Sequence, residues 1–179
     1  MIRVLFLDVD GTLTDGGIIL GEQDDLRRFH AHDGVGIKLA MLAGIEVVFL
    51  SARENAAAER RARELGVRAI LGAARKHEHV ARVCAELGCT AAEAAFVGDD
   101  LQDVSGMKAC ALSIAVGDAV AEVKAVADHV TVRNGGYGAV REAVEWLLAR
   151  EGRWESTLSS FLSTSDFVVR KDSGRPALG

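Results

Sequence analysis

The chain has 179 residues, enough for one domain with a sizeable core and too few for two ordinary ones. Hydrophobic residues make up 49% and the formal charge is −5, which suits a water-borne globular protein and excludes the broad basic field that nucleic acid would require. The first apolar run has no basic start and is broken at Asp8 and Asp10, so neither a leader peptide nor a membrane span is expected.

From the amino terminus, an apolar strand over residues 4–7 breaks into the loop Asp8-Val9-Asp10-Gly11-Thr12. Two carboxylates there are costly unless a cation or hydrogen bonds compensate them. The carboxyl end of a strand in a parallel sheet is also where ligands sit. Asp8 and Asp10 are therefore expected to seat a cation and a reaction. Residues 16–30 carry two short apolar segments around Gly21-Glu22-Gln23-Asp24-Asp25, the pattern of a β-hairpin flap. Helices are predicted at 34–43, 55–65, 76–87, 101–108, 120–127 and 139–150, interleaved with strands at 46–50, 69–71, 95–97, 112–115 and 129–131. That alternation predicts an α/β fold, a doubly wound and mostly parallel Rossmann-like sheet, with no cap domain. The core would span residues 1–150, and 151–179 would form a tail that is mobile or sits between subunits. Cys84, Cys89 and Cys110 form no CxxC pattern, which argues for a reducing, cytoplasmic setting.

Four motifs fall at the carboxyl ends of successive predicted strands. They are Asp8-Val9-Asp10-Gly11-Thr12, Leu50-Ser51-Ala52-Arg53, Lys76 at the head of a helix, and Gly98-Asp99-Asp100-Leu101-Gln102-Asp103. Their order resembles the haloacid dehalogenase superfamily of phosphatases, over residues 2–150. The resemblance implies that Asp8 is a nucleophile forming an aspartyl-phosphate and that Asp10 is the general acid and base. It implies Mg²⁺ held by the Asp8 side chain, the Asp10 backbone carbonyl and Asp99, a hard ion suited to oxygen ligands. Ser51 would hydrogen-bond the phosphoryl group, and Lys76, rather than its neighbour Arg75, would offset its charge. Thr12 and Arg53 would bind substrate or support its loop. Asp100 and Asp103 would orient the metal ligand or cap the turn.

Further segments, Asp15-Gly16-Gly17-Ile18, Phe29-His30-Ala31-His32-Asp33-Gly34-Val35-Gly36-Ile37 and Gly135-Gly136-Tyr137-Gly138, resemble the capless 3-deoxy-D-manno-octulosonate 8-phosphate phosphatase subfamily. This implies a homotetramer whose flaps meet between subunits, acting on a small sugar acid phosphate in lipopolysaccharide supply. Tyr137 stands where that subfamily usually has arginine, and Ser-Ala-Arg replaces Thr-Gly-Arg. A nonulosonate (sialic-acid-type) 9-phosphate remains an alternative substrate, and a non-catalytic oligomerisation module an alternative role. His77 and His79 diverge on a helix and make a poor metal pair. His30 and His32 are read as a solvated strand end, and His129 as lacking a partner.

Overall fold

The computed structural model of the chain describes residues 1–21 and 25–168. Strands β1 (Val4–Leu7), β2 (Glu46–Leu50), β3 (Arg68–Ile70), β4 (Ala94–Gly98), β5 (Leu112–Ala115) and β6 (His129–Val130) form one sheet in the order β3-β2-β1-β4-β5-β6. Every pairing is parallel. Such a sheet is covered on both faces, so its central strands read as unbroken apolar runs. Val-Leu-Phe-Leu of β1 and Ala-Ala-Phe-Val-Gly of β4 are buried throughout.

The crossovers are α1 (Ala31–Leu42), α2 (Ala56–Leu65), α3 (Lys76–Glu86), α4 (Val104–Ala109) and α5 (Ala121–Lys124), followed by α6 (Ala139–Arg150) and α7 (Trp154–Val168). Helix α1 packs on α2, α6 and α7, while α3 packs on α4. Chain order reverses beside β1, whose neighbours β2 and β4 lead away in opposite directions. A crevice opens at such a switch point. The register aligns Leu7 with Phe49 and with Val97, so Asp8, Ser51 and Asp99 leave the sheet at one edge.

The flap after β1 is a short antiparallel hairpin, in which two isolated bridges join Thr14 to Phe29 and Ile19 to Leu26 among the described residues. Its outgoing arm takes more residues than its returning arm between those bridges, a bulge at Gly16-Gly17 that interrupts pairing. The first part of the tail is ordered helix. Thr157 is buried, and Trp154 and Phe161 pack on the core. Arg153 ties this junction down by donating to the carbonyl oxygens of Ile2 and Ala43. The flap tip at 22–24 and the polar end from Val169, including Pro176, lie outside the described residues.

Candidate active site

The aspartate loop is built by hydrogen bonding back onto one carbonyl. Val9 O accepts from the amides of Leu13 and Thr14 at 3.0 Å each, and Asp8 N still donates to Val97 O of β4 at 3.0 Å. Gly11 has φ +100°, and a Cβ there would meet Asp99 Oδ2 at 2.1 Å. Only glycine lets Asp99 close on the loop. The loop is backed by the Gly-rich segment, since a Cβ on Gly135 would lie 1.6 Å from Gly11 O, and Gly136 N donates to Thr12 O at 3.1 Å. That segment shapes the rim of the site.

Asp8 is 1% exposed, and one of its oxygens accepts from the Lys76 ammonium, itself 1% exposed. Lys76 also donates to Asp103 Oδ1 at 2.5 Å. Burial alone would push the Lys76 ammonium down, but Asp8 and Asp103 hold it above its ordinary value. Arg75 has left-handed backbone (φ 51°) and pairs with exposed Glu78, so the reading of Lys76 as the inward cation agrees with the geometry. Burial and the Asp103 charge push the Asp8 carboxyl well up, with Lys76 pulling it partly back. Burial and Asp103 push Asp99 up to about 7. One ammonium among three carboxylates leaves this cluster short of positive charge.

Asp103 is fully buried. Its Oδ2 accepts from the amides of Asp99 (2.9 Å) and Asp100 (3.2 Å), which fixes the turn that presents Asp99. Asp100 instead caps the amide of Leu101. The buried Thr12 hydroxyl donates to Asp99 Oδ1 at 3.0 Å, which ties the aspartate loop to the acidic cluster. Ser51 is 2% exposed and its Oγ accepts from Arg53 N at 3.2 Å, while the Arg53 side chain is exposed at the strand end. The histidines stay outside this cluster. His30 caps α1 and accepts from His32 N, and His129 has a partner after all, stacking on Trp146 at 4.5 Å.

Asp10 stands apart from the cluster and exposes a partner that sequence reading missed. Its Oδ1 accepts from Arg27 Nε at 2.6 Å, and the Arg27 side chain is 1% exposed. Asp10 Oδ2 is buried without a hydrogen-bond donor among the described residues. The alternation of Leu26, Arg27, Arg28 and Phe29 along one extended arm was the available signal, because adjacent arginines must face opposite ways.

The residues fit a hard cation. Carboxylate oxygens of Asp8, Asp99 and Asp103 lie within 4.8 Å of one another, all donors are oxygen, and Asp8 Oδ2 is buried without a hydrogen bond among the described residues. Asp103 has both oxygens engaged, which leaves Asp8 and Asp99 as the carboxylates that could turn an oxygen to an ion.

Residues 70–144 match the model of the haloacid dehalogenase-like hydrolases. The chain is 38% identical over 154 residues to a 3-deoxy-D-manno-octulosonate 8-phosphate phosphatase of Haemophilus influenzae, covering 85% of this chain and 86% of that protein. The chain belongs to the 3-deoxy-D-manno-octulosonate 8-phosphate phosphatase family. The phosphatase of this family from Moraxella catarrhalis, solved with magnesium, phosphate and KDO, superposes with a TM-score of 0.85 at 31% identity, covering 89% of this chain and 93% of that one. The cobalt-bound Haemophilus influenzae enzyme gives 0.82 at 37% identity, covering 86% and 91%. Family members thus bind divalent metals, as the acidic cluster here is built to do.

Proposed function

We propose that this chain is a Mg²⁺-dependent phosphomonoesterase that hydrolyses 3-deoxy-D-manno-octulosonate 8-phosphate to the sugar acid and phosphate. The observation that carries the reading is the Asp8 carboxylate: one oxygen fixed on Lys76, the other buried without a donor, at the edge of the acidic cluster. A carboxylate held in that way is a pre-aimed nucleophile. Asp8 attacks phosphorus, the bond to the sugar oxygen breaks, and Asp10 delivers a proton to the leaving alkoxide. Asp10 then takes a proton from water as that water attacks phosphorus, which releases phosphate and restores the Asp8 carboxylate. Ser51 donates to a phosphoryl oxygen and Lys76 balances the charge gathered there. Magnesium held by Asp8, Asp99 and the Asp10 carbonyl would cancel the repulsion between carboxylate and phosphate dianion. Arg53, exposed beside Ser51, suits the carboxylate of a sugar acid.

No helix among the described residues is long and apolar enough to cross a membrane. Cys84, Cys89 and Cys110 are all free thiols, which supports a cytoplasmic setting. The flap exposes Ile19 (64%), Leu20 (80%) and Leu26 (55%), an apolar edge that suits the homotetramer implied by the resemblance. The decisive experiment measures phosphate release from the 8-phosphate and from a nonulosonate 9-phosphate, with Mg²⁺ and with chelator. Preference for the 8-phosphate, dependence on Mg²⁺ and loss of turnover in Asp8→Asn are expected. Preference for the 9-phosphate would move the substrate, and silence on both would favour the non-catalytic module.

A further inference from the structure

The acidic cluster and Lys76 account for phosphoryl transfer, but nothing in them orients the proton. Asp10 emerges from the sheet two residues after the nucleophile and reaches none of Lys76, Asp103 or Thr12 among the bonds that organise the cluster. A carboxylate on its own turns freely about its last torsion. Its two oxygens then sweep past the leaving group rather than facing it. General acid catalysis needs one oxygen within hydrogen-bond reach of the reacting atom.

The flap supplies the missing restraint. Arg27 lies on the returning arm, between the Leu26 and Phe29 bridges, and its side chain is buried to 1% exposure although it comes from a surface element. Its Nε donates to Asp10 Oδ1 at 2.6 Å, and its guanidinium also lies 3.8 Å from Asp25. The arm is itself clamped from outside. Arg28 pairs with Asp15 at 2.8 Å and stacks over the Tyr137 ring at 4.4 Å. Tyr137 belongs to the Gly-rich segment that backs the aspartate loop, so flap, rim and loop form a closed mechanical circuit around Asp10. One Asp10 oxygen is thereby fixed, and the other, Oδ2, is left buried and without a donor among the described residues. That oxygen is the one the network leaves without a partner.

We propose that Arg27 is a positioning residue for proton transfer, holding Asp10 so that Oδ2 faces the leaving oxygen of the phosphate ester. This rests on the phosphatase reading above and adds which flap residue governs its acid step. Arg27 contributes through Asp10: breaking the bond from phosphorus to the sugar oxygen needs a proton on the departing alkoxide, whereas an aryl phosphate releases a stabilised phenolate that needs little help. The two substrates therefore separate positioning from general damage.

The experiment compares kcat/KM, which reports steps through the first irreversible bond cleavage, on the sugar 8-phosphate and on 4-nitrophenyl phosphate. It uses the full chain with Mg²⁺, as wild type, Arg27→Ala and Arg27→Lys. In Arg27→Ala the loss on the sugar phosphate should exceed the loss on the aryl phosphate by about tenfold or more, within the range that acid catalysis contributes. The sugar-phosphate loss should fall on kcat rather than KM. Arg27→Lys keeps a cation on a long stem and should recover most of the difference, which also guards against a variant that folds poorly. Equal losses on both substrates in both variants, or a loss carried by KM alone, overturn the proposal. A wild type silent on both substrates overturns the phosphatase reading instead.

Discussion

The two halves of the site are held by different kinds of structure. Asp8, Lys76, Asp99 and Asp103 sit on strand and helix ends of the central sheet and share a network with three members buried to 1% exposure or less. Asp10, Arg27, Arg28 and Tyr137 meet across a flap that has two isolated bridges among the described residues, and a Gly-rich rim. The first half is rigid because moving any member would leave a buried charge uncompensated, which costs several kcal/mol. The second half joins a buried pair, Arg27 with Asp10, to an exposed one, Arg28 with Asp15, which is individually weak. In the proposed function, the attack on phosphorus, which tolerates no misalignment, falls to the sheet. In the same reading, proton transfer and contact with the substrate's outer parts fall to the flap and the Gly-rich rim.

That contrast breaks most sharply at Lys76. In Lys76→Ala the carboxylates of Asp8 and Asp103 lose their shared partner while remaining buried. Turnover should fall by about 10²–10³, the usual cost of removing one preorganised charge partner. Unfolding stability without metal should drop by about 3–5 kcal/mol, as for other broken buried pairs. Urea melts with and without Mg²⁺ check this, and the cation should restore part of the loss by binding only the folded form. A variant as stable as wild type without metal would show that the sheet half is not rigid for the reason given.

Asp99 sharpens the comparison with a smaller, signed effect. In the metal-free protein its carboxyl is pushed up to about 7 by burial and by Asp103, against an ordinary value of 3.8. Between those limits the folded protein holds a proton that the unfolded chain has lost, so stability rises as pH falls. The metal-free protein should therefore melt at a higher temperature at pH 6 than at pH 8. Asp99→Asn should lose part of that slope, and saturating Mg²⁺ should flatten it, because the cation takes the proton's place. For the same reason Mg²⁺ should bind more weakly at pH 6. A slope of the opposite sign would mean that the acidic cluster is already compensated without metal.

What could be read from the chain follows the same division. Strands β1, β2 and β5 and helix α6 begin and end where periodicity placed them, because a buried parallel strand or an amphipathic helix writes its own pattern. The Asp8, Lys76 and Asp99 positions were legible because each sits where a strand ends or a helix begins. Helix α1 starts earlier than predicted, at Ala31, since His30 caps it through a ring nitrogen that composition does not advertise. The predicted helix over 101–108 opens as a 3-10 turn, where Asp103 turns back to bond the amides of Asp99 and Asp100. The Ser- and Thr-rich α7 was obscured by weak helix formers, and its order comes from tertiary contacts of Trp154, Thr157 and Phe161. Arg27 was hidden for a related reason. Its partner is 17 residues away across a bulged flap, where no regular register predicts who faces whom.

The smallest effect is expected at Arg28, and it tests whether the flap half is adjustable. Its guanidinium pairs with Asp15 and stacks on Tyr137, yet it is exposed, so solvent screens both contacts. Arg28→Ala should leave the melting temperature within a degree or two of wild type, as surface pairs usually do. Its effect should appear in KM for the sugar phosphate, a rise of about two- to fivefold at low salt that shrinks as salt is added. The Asp15 carboxyl, held below its ordinary value chiefly by the Arg28 hydrogen bond, should return toward that value in the variant, which carboxyl NMR can follow. A collapse of kcat in Arg28→Ala would place the outer clamp under the same constraint as Lys76, and the division between a rigid sheet and a yielding flap would fail.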